Sequence, residues 1–182
     1  TAITNGLYIA VIAIVPNVGV TGVSGVGPVG CWSLVKAQPN ANNPNNFEVW
    51  KCYATSGTTG IVTATFSSTV SRSTMGVYTY SGANPTSQIG NASAAINSTG
   101  TNLPTVSLTT TTPNSWAFGA IFSGRRTLTT PGTGFIKRGT DLLFNTGADA
   151  TSVGLVSEDK PITSIGSVIV SGTLSGNTKW TI

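Results

Sequence analysis

The sequence predicts an all-β protein: one antiparallel β-sandwich, jelly-roll-like, of about ten strands in a single domain over residues 1–182. Three observations point there. Short runs rich in Val, Ile, Thr and aromatic residues recur along the whole chain. Clusters of Gly, Pro, Asn and Ser separate them. No segment of about ten residues carries the 3.6-residue apolar period of an amphipathic helix.

The first element is "NGLYIAVIAIVPN". The run Leu7–Val15 contains no polar side chain apart from the Tyr8 hydroxyl. It is too short for a transmembrane helix, which needs about 20 apolar residues, and Pro16 stops its extension. Its Ile and Val content favours a strand. Leu7, Ile9, Val11, Ala13 and Val15 alternate with Tyr8, Ala10, Ile12 and Ile14, so both faces are apolar and both call for burial. Two roles fit: a central strand of its own sandwich, or a strand donated to a neighbouring molecule. Leu7, Tyr8, Ile9, Val11, Ile12, Ile14 and Val15 are the candidate assembly residues.

Next comes "GVGPVG", with Gly25, Gly27 and Gly30 spaced as G-x-G-x-x-G. A dinucleotide loop needs a strand before it and a helix after it. Here Pro28 interrupts and a strand follows, so a glycine-rich loop is the reading. "GVSGV" (22–26) lacks the last glycine of a nucleophile elbow. The hairpin "CWSLVKAQPNANNPNNFEVWKC" folds about a midpoint between Ala41 and Asn42, which sets Cys31 opposite Cys52 at disulfide distance. The alternative is two buried free thiols. The same pairing sets Trp32 against Lys51 and Ser33 against Trp50, which points the two indoles to opposite faces.

The remaining strands follow in order. "GIVTATFS" (60–67) and "TMGVYTYSG" (74–82) alternate apolar and polar positions, the pattern of sheets with one wetter face. "PTVSLTT" (104–110), "SWAFGAIFSG" (115–124), "GTGFIKRG" (132–139), "TSVGLVSE" (151–158), "GSVIVSGTL" (166–174) and "TKWTI" (178–182) complete the set. Turns such as "SGANPTS", "TTPNS" and "NTGADA" lie between them.

Composition narrows the function classes. Charged residues are 8% of the chain and hydrophobic ones 39%, against about 25% charged in ordinary globular proteins. That balance is common in secreted β-proteins, virion proteins and surface subunits. The net charge is +4, from 9 basic and 5 acidic residues. Arg125, Arg126, Lys137 and Arg138 cluster, but without the interleaved aromatics of a nucleic-acid surface. They read as a solvated loop face, and no nucleic-acid partner is expected. The first residue is Thr1 rather than Met, as in a trimmed chain.

Candidate chemistry is sparse. The chain has no histidine, which removes Ser-His and Cys-His nucleophile systems and His-based metal sites. No cofactor and no metal are expected. The carboxylates are Glu48, Asp141, Asp149, Glu158 and Asp159. Glu158 and Asp159 are adjacent before Pro161 and read as turn residues with diverging side chains, not as a glycosidase pair. Glu48 reads as a hairpin residue beside Lys51. Asp141 with Asp149 could face a calcium ion, but "TDLLFNTGAD" supplies too few acids. Solvated turn positions are the reading for these acids, and no enzyme activity is expected. Trp32, Trp50, Trp116 and Trp180, with Tyr53, Tyr78 and Tyr80, could make a sugar-stacking platform. Trp50 and Trp116 are its candidates, against core packing for each. Asn91 ("NAS") and Asn97 ("NST") are glycosylation acceptors by sequence.

The order "GLYIAVIAIV", "FEVWKCYA", "GIVTATFS", "VYTYSGANP", then "VSLTTTTPNSWAFGAIF", "GTGF" and "NTKWTI" resembles a loose family of secreted, surface and phage-virion jelly-roll-like β-sandwich domains. The resemblance covers nearly the whole chain and implies a fold and a structural or adhesive role, with no catalytic residues. Such domains usually carry a further strand before the first one here, and a last strand that runs several residues past the Trp. A shortened terminal strand leaves an open edge, which invites completion by a neighbouring subunit through strand addition.

The expected function is therefore a self-associating structural subunit, filament-like or virion-decorating, located outside the cell, on its surface or in a virion. Its partners would be copies of itself, with other surface or virion proteins or glycans besides. An adhesin or carbohydrate-binding module is the second expectation.

Overall fold

The computed structural model describes residues 5–40, 45–57, 59–144, 147 and 152–182. The chain is all-β and antiparallel, as expected, but with fifteen strands among the described residues rather than about ten. The extra ones are short and lie in segments that read as turns or loops, such as "TDLLF" and "INSTGT".

Four layers stack. Sheet I has the order β3 (Ser33–Asn40), β4 (Asn45–Ala54), β1 (Gly6–Val15), β6 (Arg72–Ser81). A ribbon of β2 (Val20–Ser24) and β5 (Thr63–Phe66) covers its outer face. Sheet II runs β11 (Ile136–Lys137), β13 (Val153–Ile162), β9 (Ser115–Phe122), β15 (Thr178–Thr181), β7 (Ile96–Thr101), with β12 (Leu142–Phe144) also on β13. Sheet III has β14 (Ser167–Leu174) between β10 (Leu128–Pro131) and β8 (Thr105–Thr109). No helix of the described residues is long and apolar enough to cross a membrane.

The two apolar faces of β1 explain its place. Its ladder is filled on one edge by β4 and on the other by β6. Leu7, Ile9, Val11, Ala13 and Val15 pack with Ala120, Phe122, Val153 and Leu155 of sheet II. Ala10, Ile12 and Ile14 pack under Val20, Val23, Ala64 and Phe66 of the ribbon. Every residue of β1 is buried, so in this structure the strand completes its own sheet. Full burial of such side chains stabilises by roughly 1.5–3 kcal/mol each.

Strands β9 and β13 are two-sided in the same way. Ala120 and Phe122 face sheet I, while Ala117 and Ile121 face sheet III with Val168, Val170 and Leu174. Both strands are therefore inner strands; β9 is a continuous apolar run from Trp116 to Phe122, whereas β13 is interrupted by Ser157, Glu158, Asp159 and Lys160.

Cys31 and Cys52 form the expected disulfide, with Cα atoms 4.9 Å apart. It ties the glycine-rich loop to β4 beside Tyr8 and Ala54. The turn about Ala41 and Asn42 lies outside the described residues. The pairing expected from it is one residue off: Ser33 faces Lys51 and Leu34 faces Trp50, with a bulge between Leu34 and Lys36. Trp32 precedes β3, so strand alternation does not govern it. Both Trp32 and Trp50 pack in the core beneath the ribbon, rather than on opposite faces.

Candidate functional site

The glycine-rich loop is built for close packing, not for a phosphate. Gly27 has φ +97, and a Cβ there would lie 2.4 Å from Cys52 Sγ. A Cβ on Gly25, at φ +108, would lie 2.0 Å from the Ile61 carbonyl oxygen. Only glycine fits either position.

The carboxylates correct the solvated-turn reading. Glu48 is 3% exposed, Glu158 0% and Asp159 1%. Glu48 Oε1 accepts from Val20 N at 2.9 Å and Asn46 Nδ2 at 2.6 Å, and Oε2 accepts from Trp50 Nε1 at 2.8 Å. It pins the ribbon onto sheet I. Glu158 and Asp159 sit in the middle of β13, and alternation sends them to opposite faces. Glu158 faces sheet III, where Oε2 accepts from Gly132 N at 2.8 Å. Burial raises its pKa above the ordinary glutamate value, while the Gly132 and Ser171 backbone hydrogen bonds and Lys160 oppose the rise. Asp159 faces sheet I, where Arg138 Nε donates to Oδ1 and Tyr80 Oη to Oδ2. Asp141 pairs with Lys137 at 2.7 Å; Asp149 lies outside the described residues. Lys137 and Arg138 are thus bound to acids rather than forming an open basic face. Among the described residues no three His, Cys, Asp or Glu side chains gather as metal ligands.

Around Asp159 a polar and aromatic network joins sheets I and II. Ser157 Oγ is hydrogen-bonded to Tyr78 Oη at 2.6 Å and to the Arg138 carbonyl at 3.0 Å. Tyr78 packs on Phe118 with ring centroids 5.0 Å apart. The Tyr80 phenol is held far above its usual pKa, first by burial and then by its bond to Asp159. Trp116 lies 6.0 Å from Tyr80, and the Arg138 guanidinium sits 5.7 Å from the Trp116 ring centre.

The two stacking candidates part company. Trp50 is 9% exposed and its indole N–H is bonded to Glu48, so its faces are not open to a sugar. Trp116 is 50% exposed. Of the two acceptor sequons, Asn91 is exposed and its Nδ2 donates to the Thr109 carbonyl. Asn97 is half-buried on β7, where its Oδ1 accepts from Thr99 N and Gly100 N.

Trp116 also stands at the edge of a cavity of about 490 Å3 between sheets I and III. One wall is the inner face of sheet I, with Leu7, Ile9, Phe47 and Val49; the opposite wall is Val106, Leu108 and Val170 of sheet III. Its long side is β9 itself. The consecutive residues Ser115–Ala120 all line it, although their side chains alternate between two faces. Only a strand's hydrogen-bonding edge presents consecutive residues to one space. On that edge β9 meets β15 at a single pair, Thr181 with Phe122. Beyond it, among the described residues, no strand pairs with Ser115–Ile121 on this side. Ile182 exchanges two hydrogen bonds with Ala95, each 2.9 Å, and also lines the cavity. The space therefore continues the line of β15, between β9 and residues 89–94. The sequence reading did not locate this slot.

The disulfide fits maturation in an oxidising compartment. No family model, no curated protein and no solved structure matches the chain.

Proposed function

We propose that this chain is a non-enzymatic structural subunit of an extracellular, cell-surface or virion assembly made from copies of itself, as a filament, pilus-like fibre or decoration layer. The observation that carries the reading is the apolar character of the recess between sheets I and III. It is walled by Leu, Ile, Val, Phe and Ala side chains, and is not a cleft of convergent titratable groups. The buried carboxylates support it, because each is tied to backbone N–H groups or side-chain donors that hold layers together. So does a surface with few charges, since charge is what keeps many proteins apart. Electron microscopy of the native material is the test. Ordered fibres or a regular surface lattice are expected; isolated globular particles under all conditions would refute the proposal.

A second reading, a carbohydrate-binding or adhesive module, draws on Trp116. Its half-exposed ring lies beside Tyr80 and Arg138, an aromatic plane with a polar flank of the kind sugars stack on. A glycan array compared with the Trp116→Ala variant decides it. Binding that disappears in the variant supports this reading, and an array with no signal rejects it.

A further inference from the structure

We propose that the end of the molecule carrying the glycine-rich loop docks on an uncharged lipid surface, with Val29 and Ile61 entering its hydrocarbon. Two loops make this end. In the first, Cys31 N donates to the Pro28 carbonyl at 3.1 Å, and Gly30 has φ +76. These are the marks of a type II turn, with Val29 at its apex and fully exposed. In the second, Ile61 follows Gly60 and is 83% exposed. The loops adjoin: a Cβ on Gly25 would meet the Ile61 carbonyl, and one on Gly60 would lie 3.8 Å from Val26 Cγ2. Turns are usually built from Gly, Pro, Asn, Asp and Ser, so two aliphatic side chains held out at adjoining tips call for a partner. The first tip is also held in shape. Its disulfide ties it to buried Cys52, and Trp32 Nε1 donates to the Val26 carbonyl at 3.1 Å. Insertion therefore orders little that is not already ordered.

The chemistry around the tips selects lipid. No charged residue occurs at positions 16–35 or 53–71, the segments that supply the ribbon and both loops. Glu48, the acid beneath the ribbon, is buried and bonded. Entry of a charge into hydrocarbon is strongly opposed, and this end carries none. Exposed side chains near the tips in sequence are hydroxyls, those of Ser24, Ser33, Thr55, Ser56 and Thr59, and half-buried Trp32 follows the turn. Apolar tips backed by neutral hydrogen-bonding groups and an indole match the order of hydrocarbon and headgroup layers. A protein partner would need a pocket shaped to the tips; a fluid bilayer needs none. Two side chains give weak binding per copy, and copies held together would add their contacts. The docking itself does not depend on the assembly reading above.

The test uses the full chain and sedimentation with vesicles of phosphatidylcholine, alone or with added phosphatidylserine, at low and high salt. Binding to phosphatidylcholine alone is expected, changed less than twofold by salt or by phosphatidylserine. Val29→Asp and Ile61→Asp alter exposed positions, where folding is not at risk, and each is expected to weaken binding at least tenfold. Val29→Leu is expected to keep it. Ile169→Asp, at an exposed position of sheet III, controls for general surface apolarity and is expected to bind like the wild type. Circular dichroism and melting profiles confirm that each variant is folded. A wild-type chain that does not bind phosphatidylcholine overturns the proposal. So does binding that requires phosphatidylserine and fades with salt, which is adsorption of a basic protein. Folded Val29→Asp and Ile61→Asp variants that bind like the wild type overturn it, as does an equal loss in Ile169→Asp. Fibres that form from a chain with no vesicle binding overturn the lipid site and leave the structural-subunit reading standing.

Discussion

Tyr80 Oη donates a 2.6 Å hydrogen bond to Asp159 Oδ2, joining β6 of sheet I to β13 of sheet II across a largely apolar interface. The same carboxylate takes Arg138 Nε at 2.7 Å. Two layers far apart in sequence are thereby aligned by one buried acid. Tyr80→Phe removes one of the partners while keeping the ring against Phe118 and Trp116. The expected loss is about 1–3 kcal/mol, read as a lower denaturant midpoint with an unchanged slope. An unchanged midpoint would mean that the bond contributes nothing to the alignment.

Glu158 offers a pH signature. Its pKa is raised in the fold, chiefly by burial. Between the unfolded and folded values the native state holds more protons than the unfolded chain. Its contribution is therefore fully present below the ordinary glutamate value and is lost as pH rises through the raised one. Glu158→Gln keeps an acceptor for Gly132 N and removes the titration. Denaturant unfolding at closely spaced pH values is expected to show wild-type stability falling with rising pH relative to the variant. A constant difference between the two proteins would refute the assignment.

The disulfide closes a loop with a sequence separation of 21. Loop-closure entropy assigns such a link roughly 3 kcal/mol. A Cys31→Ser, Cys52→Ser double variant, compared with the oxidised protein by thermal and denaturant unfolding, is expected to lose about that much. Intact mass analysis showing two free thiols in the native protein would remove the premise.

Gly27→Ala tests the loop that the disulfide anchors. The added methyl group would meet both sulfur atoms, at 2.4 and 2.9 Å, on a backbone with φ +97. The expected cost is about 1–3 kcal/mol. Gly30→Ala is the control: it shares a positive φ but has open space around its Cβ, so its loss is expected to be smaller. Equal losses would show that backbone strain, rather than contact with the disulfide, sets the requirement.

Glu48 supplies the acceptors for the ribbon. Glu48→Ala strands Val20 N, a donor of Asn46 and the Trp50 indole N–H. With about 1–3 kcal/mol for a buried group left without a partner, a loss of about 3 kcal/mol or more is expected. Hydrogen exchange at the Val20 amide is expected to speed up more than exchange in β9. Uniform acceleration across the molecule would argue against a local role.

The parts of the fold that were legible in the sequence were those set by local pattern. The run Leu7–Val15 announced burial on both faces, and the alternation assigned each residue to the face on which it lies. The disulfide followed from approximate hairpin symmetry, although a bulge after Leu34 shifted the register. The centre of β13 was not legible. "SEDKP" looks like an exposed turn because nothing near it in sequence reveals its partners. Gly132 is 26 residues from Glu158, and Tyr80 is 79 from Asp159. The slot was hidden for a related reason: whether an edge of β9 is filled depends on where β15 lands, which is a tertiary outcome.

The layering also carries a schedule. Strands β1 to β6 make only the ribbon and sheet I, and β7 to β15 make only sheets II and III. On a ribosome the first half is complete while the second is still being synthesised, and domains form as their segments emerge. During that interval the face carrying Leu7, Ile9, Val11, Ala13 and Val15 has no cover, because its counterpart comes from β9 and β13. The nascent chain thus presents this apolar face before it can hide it, and a chaperone that shields sheet I through this interval would protect the molecule while that face is bare.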